Sequence, residues 1–80
     1  MNEIVKGLSG TESTTVEFDE DIGIIGYVKI INRNNADLMI IVNGITTKIT
    51  PEDRVFEGRF HRIRAIEIVA TGEWELKVGI

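Results

Sequence analysis

Two charge clusters are the features of this chain whose residue types and spacing bear on chemistry. Glu17, Asp19, Glu20 and Asp21 set four carboxylates within five residues. Arg54, Arg59, Arg62 and Arg64 set four guanidiniums within eleven, with His61 among them and Glu57 the only acid. Opposed clusters suit a subunit contact, because complementary charge across an interface fixes register more than it adds affinity. On that reading Arg54, Arg59, Arg62 and Arg64 meet Glu17, Asp19 and Asp21 of a partner. The plainer reading is two solvated loops.

Other chemistries fit less well. Arginine suits phosphate, and duplex binding needs several such contacts. A net charge of −4 and only five aromatic residues oppose it, since single-strand binders need exposed rings for stacking. Asp19-Glu20-Asp21 clusters the hard oxygens that calcium favours, without the spacing of an EF-hand or its downstream bidentate Glu. An acidic loop is the better reading, and no metal is expected. A nucleophilic triad needs an activated Ser, Thr or Cys beside a held base. His61 is the only histidine, and no cysteine occurs, which also excludes disulfides and thiolate metal sites. Gly23 and Gly26 precede a strand pattern and not a helix, so no phosphate cradle forms. The chain is expected not to be an enzyme and to carry no cofactor.

The elements that position these residues read as strands and turns. Trp74, Leu76, Val78 and Ile80 alternate with Glu73, Glu75, Lys77 and Gly79, a period of two with one apolar face. Ile63 to Ala70 is rich in β-branched residues, and Thr71-Gly72 between the two runs predicts a hairpin. Leu38 to Val42 is a continuous apolar run, which predicts a strand covered on both faces. Asn43-Gly44 after it suits a type I′ turn into Ile45, Thr47 and Ile49. Pro51 stops that strand. Gly26 to Asn32 forms a further strand, with Val28 and Ile30 inward, and Thr14, Val16 and Phe18 mark a weaker one. Gly58, between Val55-Phe56 and Phe60, suggests a bend or bulge. Ile4, Val5 and Leu8 form either a first strand or an arm that orders on contact.

No window supports a helix beyond one turn, and turn signals recur about every 8–12 residues, as in all-β folds. The expected fold is all-β: a small antiparallel β-sandwich, jelly-roll or Greek-key like, with a small closed β-barrel as the alternative. The 80 residues make one domain, with 1–15 open to the arm reading. The inward set should include Val28, Ile30, Leu38, Ile40, Val42, Ile66, Ile68, Trp74, Leu76 and Val78. A domain this small hides only about 60–65% of the surface its unfolded chain exposes. Without disulfides or metals, a second copy is the expected extra source of stability. No run of about eighteen apolar residues offers a membrane span, and Met1 to Gly10 lacks the pattern of a secretion signal.

The C-terminal half also resembles a known group. Val42-Asn43-Gly44-Ile45-Thr46, Pro51, Phe56-Glu57-Gly58-Arg59-Phe60, Ile66-Glu67-Ile68 and Ala70 to Gly79 follow in a succession similar to small all-β structural proteins of tailed bacteriophages, including head decoration proteins and fibre-base domains. The resemblance covers residues 38 to 80. It implies a non-enzymatic subunit of a virion, made in the host cytoplasm. It further implies a homo-oligomer, trimers being common in the group, that is seated on capsid or tail proteins. The opposing class is a monomeric carbohydrate- or peptide-binding module, for which Tyr27 and Trp74 are the only aromatic platforms on offer.

Overall fold

A computed structural model describes residues 4–18 and 24–80. These contain no helix and form eight strands: β1 (Ile4–Gly10), β2 (Thr14–Glu17), β3 (Tyr27–Asn32), β4 (Leu38–Val42), β5 (Ile45–Ile49), β6 (Val55–Arg59), β7 (Ala65–Val69) and β8 (Trp74–Gly79). They build two four-stranded antiparallel sheets, ordered β1-β8-β3-β6 and β2-β7-β4-β5. The pairs are nested: β4 with β5, β3 with β6, β2 with β7 and β1 with β8. Ladders β3–β8 and β4–β7 then join the pairs into sheets.

The closed barrel is not what forms. Among the described residues no ladder joins an edge of one sheet, β1 or β6, to an edge of the other, β2 or β5. The two sheets instead face each other across a core filled by alternate residues of β3, β4, β7 and β8, with Leu8, Val16 and Phe56 of the outer strands packed half-buried against it. Val28 and Ile30 of β3, Leu38, Ile40 and Val42 of β4, Ile66 and Ile68 of β7, and Trp74, Leu76 and Val78 of β8 are all buried. This is the full inward set read from the alternation. Ile25, Ile49 and Ile63 join it. Burying a side chain of this size is worth roughly 1.5–3 kcal/mol, so these residues are the main stabilising term against chain entropy.

Three local expectations are corrected. Residues 63–70 and 74–80 do not form a hairpin, because β7 pairs with β2 and β4 while β8 pairs with β1 and β3. Residues 70–73 cross between sheets, so both strands point their apolar faces at one core from opposite sides. Alternation reports which face is buried and is silent about which strand lies alongside. Second, β4 is covered on one face only: Met39 is exposed and Ile41 half-buried, while Leu38, Ile40 and Val42 are inside. Third, β6 runs past Gly58 in unbroken register with β3. A Cβ at Gly58 would meet Phe60 at 3.4 Å and Phe56 at 3.7 Å, ordinary contact distances, so neither a bulge nor crowding by the two rings sets this position. The register shift lies in β1, between Ile4 and Lys6.

The Asn43-Gly44 turn forms as expected, with φ of 52° and 84° and Val42 paired to Ile45. At the other end of the sandwich, Asn32 is fully buried. Its side-chain amide donates to the carbonyls of Ala36 and Ile49, both at 2.9 Å, and its Oδ1 accepts from the Asn34 N–H at 3.0 Å. One polar side chain thereby ties the β3–β4 connection to the end of β5.

Candidate functional site

The nested pairing alternates strand direction, so every second connection lies at the same end of the sandwich. One end holds residues 24–26, the Asn43-Gly44 turn, the β6–β7 connection and Ile80. Backbone bonds stitch them together: Ile63 N–H to Ile25 O at 2.6 Å, Gly26 N–H to Gly79 O at 3.0 Å, and Phe60 N–H to Gly26 O at 2.7 Å. Asn43 clamps the β6–β7 connection, donating from Nδ2 to Arg62 O at 2.7 Å and accepting at Oδ1 from the Arg64 N–H at 2.9 Å. That connection carries His61, Arg62 and Arg64, with His61 and Arg64 exposed.

The structure therefore brings Arg59, Arg62 and Arg64 to one end and separates Arg54 from them. Arg59 closes β6, its guanidinium 3.4 Å from Ile80 O. Arg54 stands at the far end, entering β6 with φ of 65°. Its carbonyl accepts from Asn32 N–H at 2.6 Å and its guanidinium lies 3.3 Å from Asn32 O. Its work is to lock a loop against β3. Glu17, exposed at the end of β2, pairs with Ala65, and the next residue, Phe18, donates its N–H to Arg64 O at 3.0 Å. Glu17 and the arginine-bearing connection are thus neighbours within one chain. Asp19 and Asp21, and with them the acidic loop weighed for calcium, lie outside the described residues.

Apolar residues that the sequence marks only as parts of strands, together with Ile24, complete this end. Ile4 pairs with Gly79, which is bonded to Gly26, so Ile4, Ile24 and Ile80 sit on adjoining segments, with Val5 beside them. Ile45 projects from the clamped turn. Ile24 and Ile45 are 59% and 67% exposed. Of the eight large exposed apolar side chains among the described residues, these five share one end. The signal was available: Ile45 directly follows a turn dipeptide, where a side chain has no opposing sheet to enter.

Elsewhere the polar groups are committed to the fold. Arg33 holds Glu75 through Nη2 at 2.8 Å and Nε at 2.9 Å, and this keeps the Glu75 carboxyl below its ordinary range. The Tyr27 hydroxyl donates to Glu57, which raises the tyrosine's pKa. Trp74 donates its indole N–H to Glu12 O at 2.9 Å. Tyr27 and Trp74 are 6% and 4% exposed, too little for either ring to serve as a flat platform. Among the described residues no group of three His, Cys, Asp or Glu side chains is placed to hold a metal.

Compared with protein families, characterised proteins and solved structures, the chain gives no match.

Proposed function

We propose that this chain is a non-enzymatic structural subunit that self-associates and attaches to a larger assembly, with a phage virion as the setting its C-terminal resemblance implies. The observation that carries the reading is the end described above, where the segments bearing the exposed Ile4, Val5, Ile24, Ile45 and Ile80 share one end of the sandwich with Arg59 and the arginine-bearing β6–β7 connection. Exposed apolar groups gathered in one place mark interaction surfaces, and arginine is favoured there because its planar fork pairs carboxylates while its stem covers apolar surface. The finer fold assignment is a jelly roll. It is supported by the strand orders 1-8-3-6 and 2-7-4-5, which arise when one long hairpin, nested about β4–β5, is rolled into two sheets. Such frames serve in capsid proteins and in lectins. Burial of Tyr27 and Trp74 favours the structural role over the sugar-binding one, since a saccharide would find no open ring.

Solution mass tests the reading. Light scattering across a wide concentration range should give masses above the 9.0 kDa of one chain. Replacing Ile24 and Ile45 together by Asp should leave the fold intact, as both are exposed, and should abolish attachment to particles. A protein that stays at the mass of one chain at every concentration sinks the self-association half of the reading. Particle binding unaffected by the double variant sinks the assignment of this end.

A further inference from the structure

Of the four sheet edges left unpaired among the described residues, β6 is the one whose sequence complements itself. Gly26 with Phe60 and Asn32 with Arg54 are hydrogen-bonded pairs of the β3–β6 ladder. The alternation of an antiparallel ladder then turns residues 56 and 58 toward β3 as well, and leaves the N–H and C=O of Glu57 and Arg59 pointing out along the edge. The side chains of Glu57 and Arg59 stand on the outer face, while Phe56 and Phe60 lean inward, half-buried against the core.

We propose that β6 pairs with β6 of a second copy, antiparallel about a two-fold axis at Gly58. This rests on the self-association reading and names the surface responsible. In that register Glu57 of each copy faces Arg59 of the other in hydrogen-bonded pairs, so outward backbone groups meet outward backbone groups. Phe56 faces Phe60 of the second copy, twice over, on the inner side. Gly58 faces its own counterpart in a non-hydrogen-bonded pair, where Cα atoms approach to about 4.5 Å and a glycine presents nothing to collide. Moving the axis by one residue either way sets Glu57 against Glu57 or Arg59 against Arg59, and directly opposed like charges destabilise a ladder. The charges therefore select the register, while backbone bonds and the aromatic pairs supply the attraction. Glu57 can accept from an arginine while holding the Tyr27 hydroxyl, because a carboxylate has about four lone-pair sites. The result is one continuous eight-stranded sheet across the dimer.

The other edges lack this match. β1 carries a register shift and a lone Lys6, both devices that discourage edge pairing. β2 has four residues. On β5 the only charge, Lys48, lies 3.6 Å from Asp37 of its own chain.

Sedimentation equilibrium on the full chain, with amide hydrogen exchange at Glu57 and Arg59, tests the proposal. Exchange at those two amides should slow as concentration rises. Arg59→Glu, a change at an exposed side chain, should weaken association roughly tenfold or more, since two opposed pairs become like-charged. Glu57→Arg combined with Arg59→Glu restores opposite charges in the same register and should restore association. If the wild-type protein associates while both amides exchange at one rate throughout, or while Arg59→Glu changes nothing, the contact lies on another face and the self-association reading survives without this edge. If the wild-type protein never associates, both fall together.

Discussion

Asn32 offers the sharpest test of how this small sandwich holds its loops. Replacing it by Ala removes two donated bonds, to Ala36 O and Ile49 O, and one accepted from Asn34 N–H. Each bond contributes about 1 kcal/mol net, and a buried carbonyl left without a donor costs a comparable amount more. The expected loss is about 3–4 kcal/mol. An 80-residue domain has a total stability of roughly 4–12 kcal/mol, so the variant should sit close to unfolding, with Tm lower by some 12–30 °C. Urea titration followed by Trp74 fluorescence gives the free energy, and an unchanged m-value shows that the same surface is exposed. Asn32→Leu separates the causes: it refills the volume but still strands the buried Ile49 carbonyl. Equal losses for Ala and Leu indicate the hydrogen bonds. A loss under about 1 kcal/mol for Ala, or full rescue by Leu, would refute the account.

Two further perturbations follow from geometry and charge. Gly72→Ala builds a Cβ 2.3 Å from Asn34 Cγ, so the Asn34 side chain must swing aside and give up its bonds to Thr71 Oγ1 and the Asn35 N–H; both bonds are exposed, so a cost of about 1 kcal/mol is expected, read by the same titration. Glu75 has a depressed pKa in the folded state because Arg33 holds its carboxylate; its contribution is present above the carboxyl value of the unfolded chain and is lost as pH falls through the lower folded value. Arg33→Ala should therefore flatten the acid limb of the stability–pH curve and leave the curve near pH 10 unaltered in shape; an unchanged acid limb would show that the pair is merely decorative.

The residues that revealed the fold did so through local physics. Trp74, Leu76 and Val78 declared a buried face because a pleated strand turns alternate side chains the same way. Asn43-Gly44 declared a turn because both residues accept positive φ. Neither kind of signal reaches across the chain. One partner of β8 is β1, more than sixty residues earlier, and nothing in Ile63 to Ala70 announces that it belongs to the opposite sheet. The arginine cluster failed in the same way. Arg54 and Arg59 are five residues apart, close along the chain, yet an extended strand of that length carries them to opposite ends of a small sandwich. Ile4, Ile24, Ile45 and Ile80 were invisible as a group because only the strand pairing assembles them. Phe56, Gly58 and Phe60 suggest a bulge because of the glycine alone; their spacing of two is what an unbroken strand requires, and the register with β3 runs straight through.

The nested order of strands also bears on how the chain closes upon itself. Bringing β1 to β8 in one step would join ends some seventy-five residues apart. The architecture never requires that step. Once the two-residue turn joins β4 to β5, only ten residues lie between that pair and the next, β3 with β6; fourteen lie between it and β2 with β7, and seven before β1 meets β8. Closure entropy rises only with the logarithm of the free length, about 0.6 kcal/mol per doubling. Each pairing thus shortens the slack left for the next, and a topology built from distant contacts becomes a succession of short closures.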